Sequence, residues 1–330
     1  MSGSKKVNKI VNGDAVFYQF DQQLGFWGIP NMKREVCFPQ QPDTPKLVKH
    51  NADGNRDNDA VISPGEKTIV CMGGSHTWGG GVGQAERYPD FLAASTGVKT
   101  INMGHCSMGL DQVCLSLMQR TAKYRPKIVV IEQYPWAIHR ILNNYVNGYL
   151  RPFFYIDAQG AIKLHKLSFA AGMPAFRKIT GSYYAFRKEF NEFKAGMNIK
   201  NSYDASLDPI FLHWKTRQYD YMYQLTDYIL QVIRDYCRQE NIKLLFGIGA
   251  IKQQFDPEPA SKLVDYELPR KRFVSLLEKN KIQYTDMTDA MLSNHTPDAP
   301  VIFADGHINE KGHKIFAAAI HTELKKLNWL

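Results

Sequence analysis

The sequence predicts an α/β fold in which a central parallel sheet is covered on both faces by helices. Short runs, mostly apolar and rich in β-branched residues, recur at Thr68–Met72, Lys99–Met103 and Lys127–Ile131. Helical stretches separate them, at Tyr88–Ser95 and Asp111–Tyr124. Strands that read as nearly unbroken apolar runs are buried on both sides, as in a parallel sheet with helical crossovers. The length of 330 residues allows one large domain with additions, or two ordinary ones.

Taken in order, residues 1–60 are rich in Asn, Asp, Gln, Gly and Pro. Phe17–Phe20 suits a brief strand, Asp21–Pro30 reads as turns, and His50–Arg56 as a polar turn cluster. Too few periodic apolar residues are present for an independent core, so this segment is expected to be an extended arm packed on a main domain of residues 61–330. After the third strand, residues of about 140–215 interrupt the strand–helix rhythm. They carry Tyr145, Tyr149, Phe153, Phe154, Tyr155, Tyr183, Tyr184 and Phe186. This aromatic-rich insertion either lids or lines a pocket, or forms a satellite core under long loops. The rhythm then resumes with a helix at Tyr219–Gln239, whose apolar stripe includes Leu225, Ile229 and Ile233. A strand at Lys243–Gly249, a helix at Lys262–Lys279 and a strand at Ile282–Met287 follow. Asn309 is placed to cap the last helix, with Phe316, Ile320 and Leu324 on its buried stripe.

The composition, 44% hydrophobic and 22% charged, is that of a soluble globular protein. No apolar run approaches the ~20 residues of a spanning helix, and no apolar segment follows Met1-Ser-Gly-Ser-Lys-Lys to make a signal peptide. A cytoplasmic location without membrane association is therefore expected. The five cysteines, Cys37, Cys71, Cys106, Cys114 and Cys237, form no Cys-x-x-Cys pair, so neither a disulfide framework nor a metal is expected. The net charge is +9, but the basic residues are dispersed and not interleaved with aromatics. That pattern argues against a nucleic-acid partner. No cofactor is expected.

Chemistry concentrates at two places. The first follows the strand Thr68–Met72, where Gly73-Gly74 turns the chain and Ser75 comes next. A hydroxyl there stands above the sheet edge near backbone N–H groups that can face developing negative charge; the plainer alternative is a serine that caps a helix. A P-loop is excluded because Gly80 stands where its lysine belongs. The dinucleotide fingerprint fails at Gln84, and a Gly-x-Ser-x-Gly elbow at Thr77. The second place is Asp305-Gly-His307, just before the capped helix. Residues two apart in an extended or turn backbone can face one side. Asp305 can then fix the His307 tautomer and leave Nε2 free to take a proton from a serine, which is a poor nucleophile without such a base.

Gly73-Gly-Ser-His-Thr-Trp-Gly79 resembles the first block of the SGNH, or GDSL, hydrolase superfamily, and Asp305-Gly-His307 its last. Asn102–Gly109 with Asp111-Gln112 is similar to the second block. The resemblance spans about 67–139 and 242–327. It implies a three-layer α/β/α sandwich with a flavodoxin-like parallel sheet and a Ser75–His307–Asp305 triad. It also implies an oxyanion hole from the N–H of Ser75, the N–H of Ser107 or Gly109, and a third-block asparagine side chain. Two departures stand out. Gly74 replaces the usual aspartate before the serine, and the third block reads Glu132-Gln-Tyr-Pro-Trp-Ala-Ile-His139 with no asparagine. Gln133, Asn143 and Asn144 are candidate substitutes, and Trp136 falls near the asparagine's place. His76, His105 and Trp136 are candidate pocket residues, although His76 also suits a helix start. His313 reads as a solvated or packed helix residue.

The expected activity is hydrolysis of an O-acyl ester, O-acetyl above all, on a carbohydrate or small molecule. An O-acyltransferase using the same triad and an inactive glycan-binding protein of the same fold are the alternatives.

Overall fold

The computed structural model describes residues 8–9, 16–196, 210, 217–255 and 264–330. At the amino-terminal end lie β1 (Asn8–Lys9), β2 (Tyr18–Asp21), β3 (Gly25–Gly28), β4 (Lys33–Phe38) and β5 (Gln41–Lys49). β2 and β3 form an antiparallel hairpin, so Asp21–Pro30 is not the string of turns its composition suggested. β4 and β5 form a second hairpin, with a bulge between Val36 and Phe38. Pro42 and Pro45 are tolerated within β5 because it is an edge strand in the order β1-β4-β5. The apolar residues of these hairpins, including Phe17, Leu24, Phe26, Trp27, Val36 and Val48, join the same core as the main sheet.

That sheet is built from β6 (Thr68–Gly73), β7 (Lys99–Gly104), β8 (Ile128–Glu132), β13 (Lys243–Ile248) and β14 (Gln283–Asp286). All four pairings are parallel, in the order β14-β13-β8-β6-β7. Ile69–Met72 and Ile128–Ile131 are fully buried, as their unbroken apolar character requires. Helix α2 (Tyr88–Thr96) packs with α9 (Glu310–Lys326) on one face; α3 (Leu110–Arg120), α5 (Arg217–Gln239) and α7 (Leu268–Lys279) pack on the other. The division follows from right-handed crossovers, because the chain leaves β6 toward one edge and later returns to β8 on its other side. The result is a three-layer α/β/α sandwich. Between β6 and β8 the strand order reverses, and side chains beyond their carboxyl ends face a crevice.

Two short helices, α6 (Lys252–Phe255) and α8 (Thr288–Ser293), precede and follow α7, and helix ends follow local chemistry. Gly97 in the left-handed region terminates α2, and the Asn309 side chain accepts from the Gly312 N–H at the start of α9. α7 begins at Leu268, with Pro269 in its first turn, later than the expected Lys262; residues 262–263 lie outside the described residues.

A 3-10 helix at Pro135–Leu142 leads from β8 into the insertion. Two small antiparallel sheets follow: β9 (Tyr145–Val146) with β10 (Tyr149–Leu150), and β11 (Phe153–Ile156) with β12 (Ile162–His165). Helix α4 (Pro174–Gly196) comes next. Tyr149 and Phe154 are buried in the common core, and Gln22 of the first hairpin donates to the carbonyls of Leu167 and Ser168. The residues of the expected insertion at 197–209 and 211–215 lie outside the described residues.

Candidate active site

The strand β6 ends in Gly73, which has a φ of +152°. A Cβ there would lie 2.5 Å from both Glu132 Oε2 and Thr77 Oγ1, so conformation and space both require glycine. The single helical turn α1 (Ser75–Trp78) follows at once and presents Ser75, 7% exposed, at the crevice between β6 and β8. Arriving from the loop before α9, 232 residues later, His307 Nε2 lies 2.9 Å from Ser75 Oγ. On its other side His307 Nδ1 lies 2.9 Å from Asp305 Oδ2, while Asp305 Oδ1 accepts the His307 backbone N–H at 3.1 Å. The carboxylate thereby anchors both ring and backbone, and the tautomer it selects leaves Nε2 as the acceptor facing the hydroxyl. Partial burial raises the Asp305 carboxyl, but the bonds from His307 and a further one from Gln40 outweigh it and hold it at about 2.

These residues border a cleft of about 280 Å³, also lined by His76, Glu132, Tyr134, Trp136, Ala137, Arg140, Ile251, Lys252, Gln253 and Gly306. Two of the three sequence-predicted pocket residues are therefore present. His76 stacks on Tyr134, with centroids 3.9 Å apart and planes 17° from parallel, and its Nδ1 accepts the Ile308 N–H at 3.4 Å. Burial and the neighbouring His307 push it well below the usual histidine range. Trp136 lies on the 3-10 helix, edge-on to His139.

His105 is not at the cleft. It is fully buried with its ring 3.8 Å from that of Trp27, and Nδ1 bonds the Met103 carbonyl. The hairpin residues Tyr18 and Trp27 cover it, and burial pushes it down to about 3. His313 is the packed alternative: its Nδ1 accepts the Tyr88 N–H at 3.1 Å. Ser107, at a φ of +64°, and Gly109, the residue before α3, occupy the β7–α3 loop; neither lines the cleft.

The substitutes proposed for the missing asparagine are likewise elsewhere. Gln133 Nε2 donates to the Tyr134 carbonyl, Asn144 Oδ1 accepts from the Tyr184 hydroxyl, and Asn143 is exposed. Apart from Arg140, no described residue of the insertion lines the cleft. Its buried aromatics pack against the hairpins and α5 instead.

Glu132 carries a signal the sequence left unread. It is a charged residue at the end of an otherwise apolar buried strand, and it is 5% exposed. Its Oε2 accepts from the Gly74 N–H at 2.9 Å, the Thr77 N–H at 3.3 Å and the Thr77 hydroxyl at 2.9 Å. Burial raises its carboxyl, and the bonds from Thr77 and Gly74 oppose that shift. A side chain on Gly74 would begin 4.0 Å from the same oxygen. The acidic group missing beside Ser75 in sequence thus reaches the same corner from the neighbouring strand.

The amino-terminal arm supports the turn from behind. Arg56, fully buried, donates to the carbonyls of Trp78, Gly79 and Val82 and lies over the Trp78 ring at 4.4 Å. Burial and the nearby Arg87 charge lower it to about 9. No group of three or more His, Cys, Asp or Glu side chains suited to a metal occurs among the described residues, and no described helix is long and apolar enough to cross a membrane.

No protein-family model and no curated protein matches the chain. Among solved structures it is similar to a GDSL-like lipase from Bacteroides thetaiotaomicron, at 14% identity over 82% of this chain and 93% of the other, with a TM-score of 0.42. The lipase/acylhydrolase from Enterococcus faecalis gives 14% identity, 79% and 96% coverage and a TM-score of 0.42. The acetyl xylan esterase AlAXEase gives 12%, 78% and 99%, and 0.42. These likenesses are remote, and the arrangement of Ser75, His307 and Asp305 stands independently of them.

Proposed function

We propose that this chain is a serine esterase of the SGNH type. It would cleave a small O-acyl ester, O-acetyl in particular, on a carbohydrate or other small alcohol. One observation carries the reading: a serine at a strand end, an imidazole and a carboxylate stand in a continuous hydrogen-bonded line, with both heavy-atom distances on the imidazole at 2.9 Å. That is the reach a general base needs.

In this reading Ser75 Oγ attacks the acyl carbon while His307 Nε2 takes its proton. The carbonyl electron pair moves onto oxygen, where the Ser75 N–H receives it. The pair returns as the alcohol leaves with the proton from His307, and an acyl-Ser75 remains. Water, deprotonated by His307, attacks next and releases the acid. Asp305 holds the imidazole throughout and stabilises its charged form. A cleft of about 280 Å³ supports a short acyl group. Side-chain exposures of 30% for His307 and 43% for Asp305 support access of water, and so hydrolysis over transfer.

Turnover of p-nitrophenyl acetate by wild type and Ser75→Ala tests the reading. Turnover lost in the variant is expected; equal background rates in both would instead favour an inactive glycan-binding protein. Acceleration by a sugar acceptor, with acetylated sugar as product, would favour an acyltransferase.

A further inference from the structure

We propose that Arg140 is a catalytic residue of this site, its guanidinium donating the side-chain hydrogen bond to the oxyanion. The proposal rests on the acyl-transfer reading above and goes beyond it, because no sequence motif designates Arg140.

Arg140 borders the cleft together with Ser75. Its stem and tip are placed by contacts at two glycines. A Cβ on Gly109 would lie 3.3 Å from Arg140 Cβ, and a Cβ on Gly74 would lie 3.1 Å from Arg140 Nη1. The side chain therefore runs from the loop after β7 to the residue immediately before the nucleophile. Those are the two backbone segments expected to supply the other oxyanion donors.

The backbone beneath it is held by Arg151, which is 1% exposed. Arg151 donates to the Arg140 carbonyl from one nitrogen and to Asp111 at 2.6 Å from another. Trp136 flanks the guanidinium, 5.8 Å from its ring centre, and the Glu132 carboxylate acts on it electrostatically. Glu132 is itself tied to the nucleophile turn through Gly74 and Thr77. A cation restrained in this way meets the requirement of electrostatic catalysis, a donor already oriented before charge develops.

Other lining side chains are less suited. The Tyr134 ring is committed to His76, and its hydroxyl lies where a Cβ on Gly249 would be only 2.7 Å away. Lys252 is exposed at the mouth. The two departures from the family blocks then become one arrangement. Gly74 lacks a side chain where the Arg140 tip lies, and Arg140 supplies the donor that no asparagine provides. As Ser75 Oγ bonds the acyl carbon, the carbonyl pair shifts onto oxygen and accepts an N–H from Arg140. It returns to the carbon when the alcohol departs, and Arg140 keeps its proton throughout.

The test uses p-nitrophenyl acetate, a neutral ester, so that an arginine serving only to bind an anionic substrate would leave the rate unchanged. In Arg140→Ala, kcat should fall by about 10²–10³ with KM little changed, and added guanidinium ion should restore part of the rate. Guanidinium should do nothing for Ser75→Ala. Arg140→Met, which keeps the stem against Gly109, repeats the measurement should the alanine variant fail to fold. A wild-type kcat in these variants, or a loss in Arg140→Ala that guanidinium leaves untouched, would overturn the proposal and leave the triad standing. Wild-type turnover no faster than Ser75→Ala would remove the acyl-transfer reading itself, and this proposal with it.

Discussion

Gln40 and Asp305, 265 positions apart, share a hydrogen bond: the amide at the turn between β4 and β5 donates to Asp305 Oδ2 at 2.5 Å. The same oxygen accepts from His307 Nδ1. The tip of an amino-terminal hairpin is therefore part of the support for the Asp305–His307 pair. In Gln40→Ala the carboxylate loses a donor that helps keep it ionised, and kcat/KM for p-nitrophenyl acetate should fall roughly three- to tenfold, about 1 kcal/mol. The melting temperature should hardly change, because the bond is exposed. Gln40→Glu, which sets a like charge beside Asp305, should cost more. Identical kinetics in all three proteins would show that the contact has no part in the reaction.

Glu132 joins stability to activity. Glu132→Ala leaves the Gly74 and Thr77 N–H groups without their buried acceptor, at ~1–3 kcal/mol each. Urea unfolding should shift by that order, and esterase activity should fall with it because Ser75 lies between the two N–H groups. Glu132→Gln keeps an acceptor oxygen and should recover most of the stability. If the alanine variant unfolds at the wild-type midpoint, these bonds contribute nothing.

Arg56 tests whether the arm is structural for the site. Arg56→Met keeps an apolar stem over Trp78 but leaves the carbonyls of Trp78, Gly79 and Val82 without their charged donor. A loss of at least ~2 kcal/mol is expected. Arg56→Lys should not restore it, since two separate guanidinium nitrogens are used and one ammonium lacks that fork. Chemical denaturation of the three proteins checks this.

Buried histidines make stability depend on pH. Burial lowers His50 to about 4. Its folded value lies below the unfolded one, so the unfolded chain binds the extra proton between about pH 6.5 and 4. His50 therefore costs no stability above that window and removes up to ~1.4 kcal/mol per pH unit as pH falls through it. His76, His105 and His313 act in the same direction, while Asp57, Asp111 and Glu132, raised by burial, oppose them. In His50→Gln the unfolding free energy should decline less steeply between pH 6.5 and 4 than in wild type. Parallel profiles would mean that His50 titrates normally in the folded protein.

Much of the sheet was legible because its evidence is local. Each of the five strands of the main sheet sits within a few residues of its expected place, and the central β6 and β8, buried on both faces, show it most plainly because such strands are apolar at nearly every position. Ser75 at a strand end and Asp305 two residues from His307 were legible for the same reason. The hairpins of residues 18–49 were harder to read. They bury Phe17, Phe26 and Trp27 against another part of the chain, so neither hairpin needs a self-sufficient periodic pattern. His105 was misplaced at the cleft because sequence marks the loop it occupies but not the hairpin that covers it.

By itself the sequence determined the parallel sheet, the order of its strands and helices along the chain, the place of Ser75 at a strand end and the two-residue spacing of Asp305 and His307. Periodicity and short spacings encode those features directly. Only the tertiary structure decided that Ser75 meets His307, that Glu132 and Arg140 stand beside Ser75, that Arg56 grips its turn and that Gln40 reaches Asp305. Such contacts join residues tens to hundreds of positions apart, and their spacing carries no information until the chain has closed around the core.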